Sequence, residues 1–277
     1  MKTAHRALAL VTLLWTATAH AQSPDLPRPS PTASVTQRVG LTDVTVEYSS
    51  PGVKGRTIWG ELVPYDELWR LGANAATKIT FSKDVKVGGQ AVPAGSYSLF
   101  AVPTKADWTW VLSKQVGLGG TQGYDKAQDQ ARVPGKTAQI PKRERMSFVF
   151  ADTTDDATSL DLEWDTLRVT LPITADTAAH AAASVATATK DAARTQANAA
   201  RWLLDGGKEL DRALELSTAS VAVDPTWYGL WIHAQILAKK GQKKEALAAA
   251  QRAYDLGKKA EYFFWEDQVK KALEEWK

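Results

Sequence analysis

The apolar residues of this chain change their spacing near residue 175, and this change constrains the fold more than any other feature. Before it, apolar and polar side chains alternate, as in Val44, Val46 and Tyr48, which predicts half-buried β-strands. After it, alanine-rich sequence with helical spacing takes over. The sequence therefore predicts an α+β multidomain chain, with an all-β domain over residues 32–175 and an α-helical region over residues 176–277.

The alternation recurs along the first part and predicts about nine short strands over roughly 140 residues. Besides residues 44–48, the alternating segments are residues 79–81, 85–87, 97–101, 108–112, 148–150, 160–164 and 167–173. The Gly88-Gly89 pair predicts a tight hairpin. This number of strands favours a two-layer β-sandwich, with an open barrel as the alternative.

The helical part contains an internal repeat, in which residues 207–225 align with the sequence from Gly241 onward. Three pairs of positions then match 33 residues apart: Ala213 with Ala246, Leu214 with Leu247, and Ser220 with Ala253. A glycine turn with small residues at helix contacts resembles the tetratricopeptide helix-pair repeat of about 34 residues. A last helix over residues 261–276 is expected to cap the array and to bury Phe263, Phe264, Val269 and Leu273.

The N-terminus has the pattern of a secretory signal peptide. Lys2 and Arg6 precede a short apolar run, and Ala19-His20-Ala21 fits a small-x-small cleavage site. We expect residues 1–21 to be removed and residues 22–31 to form a flexible, proline-rich lead, which predicts a periplasmic or secreted protein. No later segment predicts a membrane span, and the lack of cysteine excludes disulfides and a lipid-anchored cysteine.

The charged and titratable residues exclude several functions. Without Lys2 and Arg6 the chain has 32 basic and 31 acidic residues, a balance that does not favour nucleic acid as a partner. The β-domain contains no histidine or cysteine, which excludes a Ser-His-Asp or Cys-His site there. His180 and His233 lie in the helical region, and no phosphate loop or dinucleotide motif is complete. We predict no catalytic residue, metal site or cofactor from these patterns.

Two acidic patterns need an interpretation. Asp152, Thr154, Asp156 and Glu163 have the spacing of a calcium loop, but Ala157 replaces the required glycine, which favours a polar hairpin tip. Five carboxylates keep a carboxylate-dependent hydrolase open as an alternative: Glu47, Glu61, Asp66, Glu67 and Glu163.

Four motifs of the β-domain resemble one protein family. They are Tyr48-Ser49, Lys54-Gly55-Arg56 with Trp59-Gly60, the nine-residue block from Trp69 to Thr77, and the segment from Pro93 to Leu99. Over about residues 30–175 the chain resembles the exported bacterial family catalogued as domain of unknown function 2911. Ser50 departs from the family pattern, in which arginine often precedes the proline. The resemblance implies an exported protein and no particular reaction.

Eight residues of these motifs are candidates for ligand binding: Tyr48, Lys54, Arg56, Trp59, Trp69, Arg70, Asn74 and Thr77. Tryptophan and arginine are frequent binding anchors, and such a set suits an anionic or sugar-like ligand. The competing interpretation is structural, with Trp69 in a core, Arg70 in a salt bridge and Asn74 in a turn.

We therefore expect a non-enzymatic binding or scaffold module whose helical repeat docks a protein partner. One alternative is a carbohydrate or cell-wall ligand binder that uses Trp59, Trp69 and Arg70. The other alternative is the carboxylate-dependent hydrolase.

Overall fold

The computed structural model describes residues 26–207 and 209–277. The predicted signal peptide, with its cleavage site near Ala21, and the start of the proline-rich lead lie outside the described residues. Within them, nine β-strands precede five α-helices. The strands are β1 (Thr32–Val39), β2 (Thr42–Ser49), β3 (Thr77–Phe81), β4 (Val85–Val87), β5 (Gln90–Val92), β6 (Gly95–Pro103), β7 (Trp108–Ser113), β8 (Asp129–Ala151) and β9 (Ala157–Ala175).

The strands form one antiparallel sheet that is not closed, in the order β1-β2-β3-β6-β7-β8-β9-β4-β5. Strand β8 pairs with β7 up to Gly135 and with β9 from Lys136 onward, so the sheet folds over on itself along this long strand. Side chains of both halves, among them Phe81 and Leu162, share one core. The predicted α+β arrangement with a β-sandwich-like domain is confirmed.

Two of the predicted strands are one strand. Residues 160–164 and 167–173 both belong to β9, which bends at Asp165, where φ is 52°. Most of β8 lies in residues 129–147, where no alternation predicts a strand. The backbone ladders with β7 and β9 stabilise this segment, although its side chains are largely exposed. The predicted hairpin at Gly88-Gly89 is confirmed, with φ of 56° and 83° between β4 and β5.

The helices are α1 (Thr177–Gly206), α2 (Leu210–Val223), α3 (Trp227–Lys239), α4 (Lys243–Gly257) and α5 (Glu266–Glu275). Helix α1 begins where the sheet ends, and the Asp176 side chain caps it by accepting a hydrogen bond from the Ala179 N–H, 2.9 Å away. The Thr177 hydroxyl donates to the Asp155 carbonyl, which ties the helix to the β8–β9 turn. Residues 182–192 of α1 are exposed, and its later turns pack against α2 and α3.

Small residues bring the helices together. Ala213 and Ser220 on α2 are buried, and so are Ala246 and Ala253 at the matching positions of α4. Helix α3 lies between two apolar clusters, one shared with α1 and α2 and the other with α4 and α5. None of the described helices is long and apolar enough to cross a membrane.

The last helix differs from its prediction in one respect that matters for function. It begins at Glu266 rather than at residue 261, and Phe264 is 79% exposed. Because Phe264 precedes the helix, its side chain does not follow the helical face that buries Val269. It stacks on Tyr262 instead, with the rings 6.0 Å apart. The expectation that Phe264 is buried was wrong.

Candidate functional site

The block from Trp69 to Thr77 forms a tightly constrained loop. Trp69 exchanges two backbone hydrogen bonds with Ala101 on β6, at 2.7 and 2.9 Å. Leu71 and Asn74 adopt left-handed backbone angles, with φ of 54° and 60°. The loop closes where the buried Thr77 hydroxyl donates to the Leu71 carbonyl at 2.5 Å. These contacts fix the backbone of the loop between Trp69, which pairs with β6, and Thr77, where β3 begins.

Four tryptophans form a cluster in the core beneath this loop. Trp69 is only 8% exposed and stacks on Trp164, with the ring centroids 6.0 Å apart. Trp59 contacts both of these rings edge to face, and Trp108 contacts Trp59 and Trp69 in the same way. Among the described residues, the indole N–H groups of Trp59 and Trp164 are buried without a hydrogen-bond partner. The structure thus places Trp59 and Trp69 together, with Trp69 facing the interior.

Among the polar candidates, Arg56 and Asn74 donate hydrogen bonds to nearby groups, and Lys54 is exposed. The Arg56 guanidinium donates to the Gly52 and Val53 carbonyls at 2.6 and 3.1 Å, and Lys54 is exposed beside it. The Asn74 amide donates to the Ser49 hydroxyl at 3.2 Å.

Two further candidates lie deeper in the domain. The Tyr48 ring is in the core, and its hydroxyl accepts a hydrogen bond from the Phe148 N–H at 3.3 Å. The Nε of Arg70 is buried and has no partner among the described residues. Most of the eight side chains therefore make structural contacts, and ligand binding through them stays a prediction.

A shallow trough borders the Trp69–Thr77 block on the outer face of β1, β2 and β3. Its volume is about 610 Å³, and we call it the β-trough. Hydroxyl groups and the Glu47–Lys78 ion pair line one part, and small apolar groups line the rest. The lining residues are Thr32, Ala33, Ser34, Glu47, Tyr48, Ser49, Ala75, Ala76, Lys78, Val116 and Gly117. Of the candidates, only Tyr48 contributes to this lining.

The helical region contains a larger groove of about 680 Å³, with a mostly apolar lining. We call it the aromatic groove. It lies between α1, the start of α3 and the segment before α5. Its lining residues are Lys190, Asp191, Ala193, Arg194, Asn198, Asp224, Thr226, Trp227, Tyr228, Phe264 and Trp265. Trp265 stacks on Tyr228 with the centroids 5.7 Å apart, and the Arg201 guanidinium lies 4.4 Å from the Trp265 ring.

A cluster of charged residues on β8 and β9 was not identified as a site from the sequence. Arg168 contacts both Asp161 and Glu163, and Arg143 contacts the other oxygen of Glu163. The carboxylates are almost fully buried, and burial raises the pKa of Asp161 above its ordinary value. The signal in the sequence is the Asp161-x-Glu163 spacing, which puts two carboxylates on one face of a strand. The predicted hairpin tip at Asp152 to Asp156 is the β8–β9 turn.

The comparisons with known proteins identify the β-domain. Residues 30–173 match the family model described as a protein of unknown function (DUF2911). The chain belongs to this family. Searches of curated proteins and of solved structures found no match.

Some of the sites described above lie within the residues that match DUF2911, and one lies outside them. The β-trough, the tryptophan cluster and the charged cluster all lie within the matched residues, whereas the aromatic groove lies outside them. In residues 26–207 and 209–277, no group of three histidine, aspartate or glutamate side chains is arranged to hold a metal ion. The hollows of the DUF2911 region and of the helical region thus differ in the chemistry of their lining.

Proposed function

We propose that this DUF2911 protein is an exported, non-enzymatic binding protein that captures a peptide segment of a partner in its aromatic groove. The observation that carries the proposal is the groove itself, an apolar hollow of about 680 Å³ with an exposed phenylalanine at its rim. Aromatic side chains in a concave, mostly apolar lining are typical of binding sites. The partner is a peptide with a large apolar side chain that enters the hollow.

The aromatic rings supply a preformed pocket for that side chain. Trp227 contacts Tyr228, Phe263 and Trp265 edge to face, which holds the rings in fixed positions. Rigid aromatic walls lose little conformational entropy on binding. Phe264 is exposed at the rim, where a bound peptide would cover it and remove its apolar surface from water.

Polar groups of α1 favour a peptide over a purely apolar ligand. The Tyr228 hydroxyl donates to the Asn198 side-chain oxygen at 2.7 Å and fixes the amide. Within the described part of the chain, the Asn198 Nδ2 makes no hydrogen bond, so it is available to a peptide carbonyl. Lys190 and Arg194 on the same helix supply further donors to the groove.

The groove also fits the proposed tetratricopeptide-like arrangement of the helices. Ala213 and Ser220 on α2, and Ala246 and Ala253 on α4, occupy matching buried positions 33 residues apart. The groove is lined from α1, α3 and the segment before α5, which alternate with these helices along the chain. Alternate helices of such an array line one concave face. Export follows from the N-terminal sequence pattern described above.

A comparison of two exposed aromatic residues tests the proposal. Phe264→Ala removes a ring at the groove, and Trp202→Ala is the matched control, since Trp202 is 75% exposed and does not line the groove. Peptides selected from a random phage-displayed library against the full-length protein are then titrated by fluorescence anisotropy. We expect Phe264→Ala to weaken binding at least about tenfold, with no change in Trp202→Ala.

Two results would contradict the proposal. One is a selection that enriches no peptide above the background of an unrelated immobilised protein. The other is a set of peptides that bind wild type and Phe264→Ala with equal affinity, because those peptides would bind elsewhere.

A second candidate function is the binding of a carbohydrate or cell-wall ligand in the β-trough. The observation that favours it is the combination of hydroxyl groups and the Glu47–Lys78 pair with small apolar groups beside a family motif. This trough suits a sugar better than Trp69 does, because the Trp69 ring is buried. A glycan array with wild type, Glu47→Ala and the exposed control Glu61→Ala tests it. Binding that is lost only in Glu47→Ala supports the hypothesis, and an array without signal opposes it.

A further inference from the structure

The charged cluster on β8 and β9 contains two carboxylates that are buried on the strand face pointing away from the core. Asp161 and Glu163 lie on the face of β9 opposite to the core residues Leu160, Leu162 and Trp164. They are nevertheless only 3% and 4% exposed. Groups on that face are normally solvated, so other side chains must cover these carboxylates.

Two arginines provide the cover and neutralise the carboxylates. Arg168 donates from Nε and Nη2 to one oxygen of Glu163, at 2.8 and 2.5 Å, and its Nε lies 3.3 Å from Asp161. Arg143 lies 2.6 Å from the other Glu163 oxygen. Thr170 completes the set by donating to Asp161 at 2.6 Å. Each oxygen of Glu163 thus binds one guanidinium group, which places the two arginines side by side.

The arginines keep donors that face outward. Their side chains are 43% and 41% exposed for Arg143 and Arg168, although the carboxylates beneath them are buried. A guanidinium has five N–H groups. In the described part of the chain, Nη1 of each arginine makes no hydrogen bond. Both arginines line a hollow of about 410 Å³, together with Ile140, Pro141, Lys142 and Glu163.

The backbone of β8 is irregular where these cations lie. The pairing of β8 with β9 shifts register twice, between Gln139 and Arg143 and again between Arg143 and Ser147. On the opposite strand, Asp165 has a left-handed φ of 52°. Bulges redirect side chains and are frequent beside functional sites. Here Arg143 pairs with Asp165 in the irregular segment, its side chain reaches Glu163, and Lys142 lines the same hollow.

We infer that this hollow binds a small ligand through a phosphate or carboxylate group, held by Arg143, Arg168 and Lys142. Three cations line the hollow, together with one carboxylate, that of Glu163. Both oxygens of Glu163 are already bound by the two arginines, so the remaining N–H groups of the cations are what an incoming anion can bind. Two guanidinium groups held side by side match the oxygens of such an anion. Ile140 and Pro141 add an apolar rim for the carbon part of the ligand.

The test uses the full-length protein and three probes: inorganic phosphate, phenyl phosphate and benzoate. Binding is followed by nuclear magnetic resonance of the backbone amides or by calorimetry. The variants are Arg143→Gln and Lys142→Gln, with Lys105→Gln as a control, since Lys105 is exposed in the β6–β7 turn away from the hollow. Arg168 is left intact because it neutralises two buried carboxylates.

We expect saturable binding of at least one probe, with amide shifts confined to the β8 and β9 segments that border the hollow. The affinity should fall at least about fivefold in Arg143→Gln and should decrease with added salt. Arg143→Lys should recover only part of the loss, because lysine keeps the charge without the planar fork. A phosphate preference over benzoate would identify the ligand as a phosphate ester, and the reverse order would identify a carboxylate.

Three results would overturn the inference: shifts that do not saturate with any probe, equal affinity in wild type and Arg143→Gln, or equal losses in Arg143→Gln and Lys105→Gln. Near-ultraviolet circular dichroism shows whether Arg143→Gln keeps the tryptophan core. If it does not, Lys142→Gln decides the question, because Lys142 is exposed and makes no ion pair within the described residues. Unchanged affinity in that folded variant would then reject the site.

Discussion

Removal of the Arg168 side-chain charge should destabilise the DUF2911 domain in a manner that depends on pH. The substitution Arg168→Met keeps most of the side-chain length and removes the cation from between Asp161 and Glu163. Glu163 retains Arg143, whereas among the described residues Asp161 retains only the Thr170 hydroxyl. The variant therefore tests whether the buried carboxylates need their arginine.

The magnitude follows from burial. Loss of one partner of a fully buried ion pair costs about 3 to 5 kcal/mol. Arg168 is 41% exposed and Arg143 remains in place, so water and the second arginine offset part of that cost. We expect a loss of about 2 to 3 kcal/mol, which lowers the melting temperature by roughly 4 to 12 °C for a domain of this size.

The pH dependence has a defined sign. Burial raises the pKa of Asp161 in the folded protein, and Arg168 opposes this rise. Without Arg168 the folded-state pKa rises further above the unfolded value. A carboxyl group with a raised folded-state pKa costs stability above that pKa. The cost decreases as the pH falls through it and is gone below the unfolded-state pKa. The difference between Arg168→Met and wild type should therefore be largest at pH 7 to 8 and should shrink as the pH is lowered toward about 4, the ordinary pKa of an aspartate.

The assay is thermal unfolding followed by near-ultraviolet circular dichroism, which reports the tryptophan cluster in the same domain. Arg38→Met is the matched control, because the Arg38–Asp43 pair is exposed on both sides and should contribute less than about 1 kcal/mol. An equal loss in both variants would refute the reasoning. So would a loss in Arg168→Met that is the same at about pH 4 as at about pH 7.5.

Two further predictions concern single residues in the two regions. Gly72→Ala should destabilise the β-domain by about 1 to 3 kcal/mol, because φ is 149° and the new Cβ would lie 2.9 Å from the Ser49 carbonyl oxygen. The control in the same urea titration is Gly119→Ala, whose new Cβ meets no such contact. Equal urea midpoints for the two variants would contradict this account. In the helical region, burial lowers the pKa of His233 below its ordinary value, so the unfolded state binds the proton more readily and stability falls as the pH decreases through about 6.5. Far-ultraviolet circular dichroism at pH 7.5 and 5.5 should show a smaller shift of the urea midpoint in His233→Gln than in wild type, and an unchanged shift would argue against this role.

The strands and helices were predictable where side chains repeat with a fixed period. The alternation around Val46 is visible in the sequence because one face of β2 is buried and the other is exposed. Residues 129–147 of β8 show no such alternation, since much of this segment is exposed on both faces. Its strand conformation depends on hydrogen bonds to β7 and β9, which are made by the backbone and leave no mark on side-chain identity.

The candidate sites also combine features that are visible in the sequence with features that depend on tertiary contacts. The nine-residue block from Trp69 to Thr77 is recognisable from its composition, yet the role of Trp69 depends on Trp164, which lies 95 positions further along the chain. Phe264 was expected to be buried because it lies within the predicted last helix, residues 261–276. Its exposure depends on where α5 begins, and a difference of a few residues in a helix start changes which side chains face inward.

The sequence by itself determined the change from strands to helices near residue 175, the hairpin at Gly88-Gly89, the small residues at the helix contacts and membership of the family. Each of these is a local pattern or a motif, so it depends on residues close together in the chain. Only the tertiary structure decided that Arg143 and Arg168 meet at Glu163, and that an aromatic groove opens between α1, α3 and the segment before α5. Those contacts depend on strand register and helix packing, which bring together residues that the chain separates.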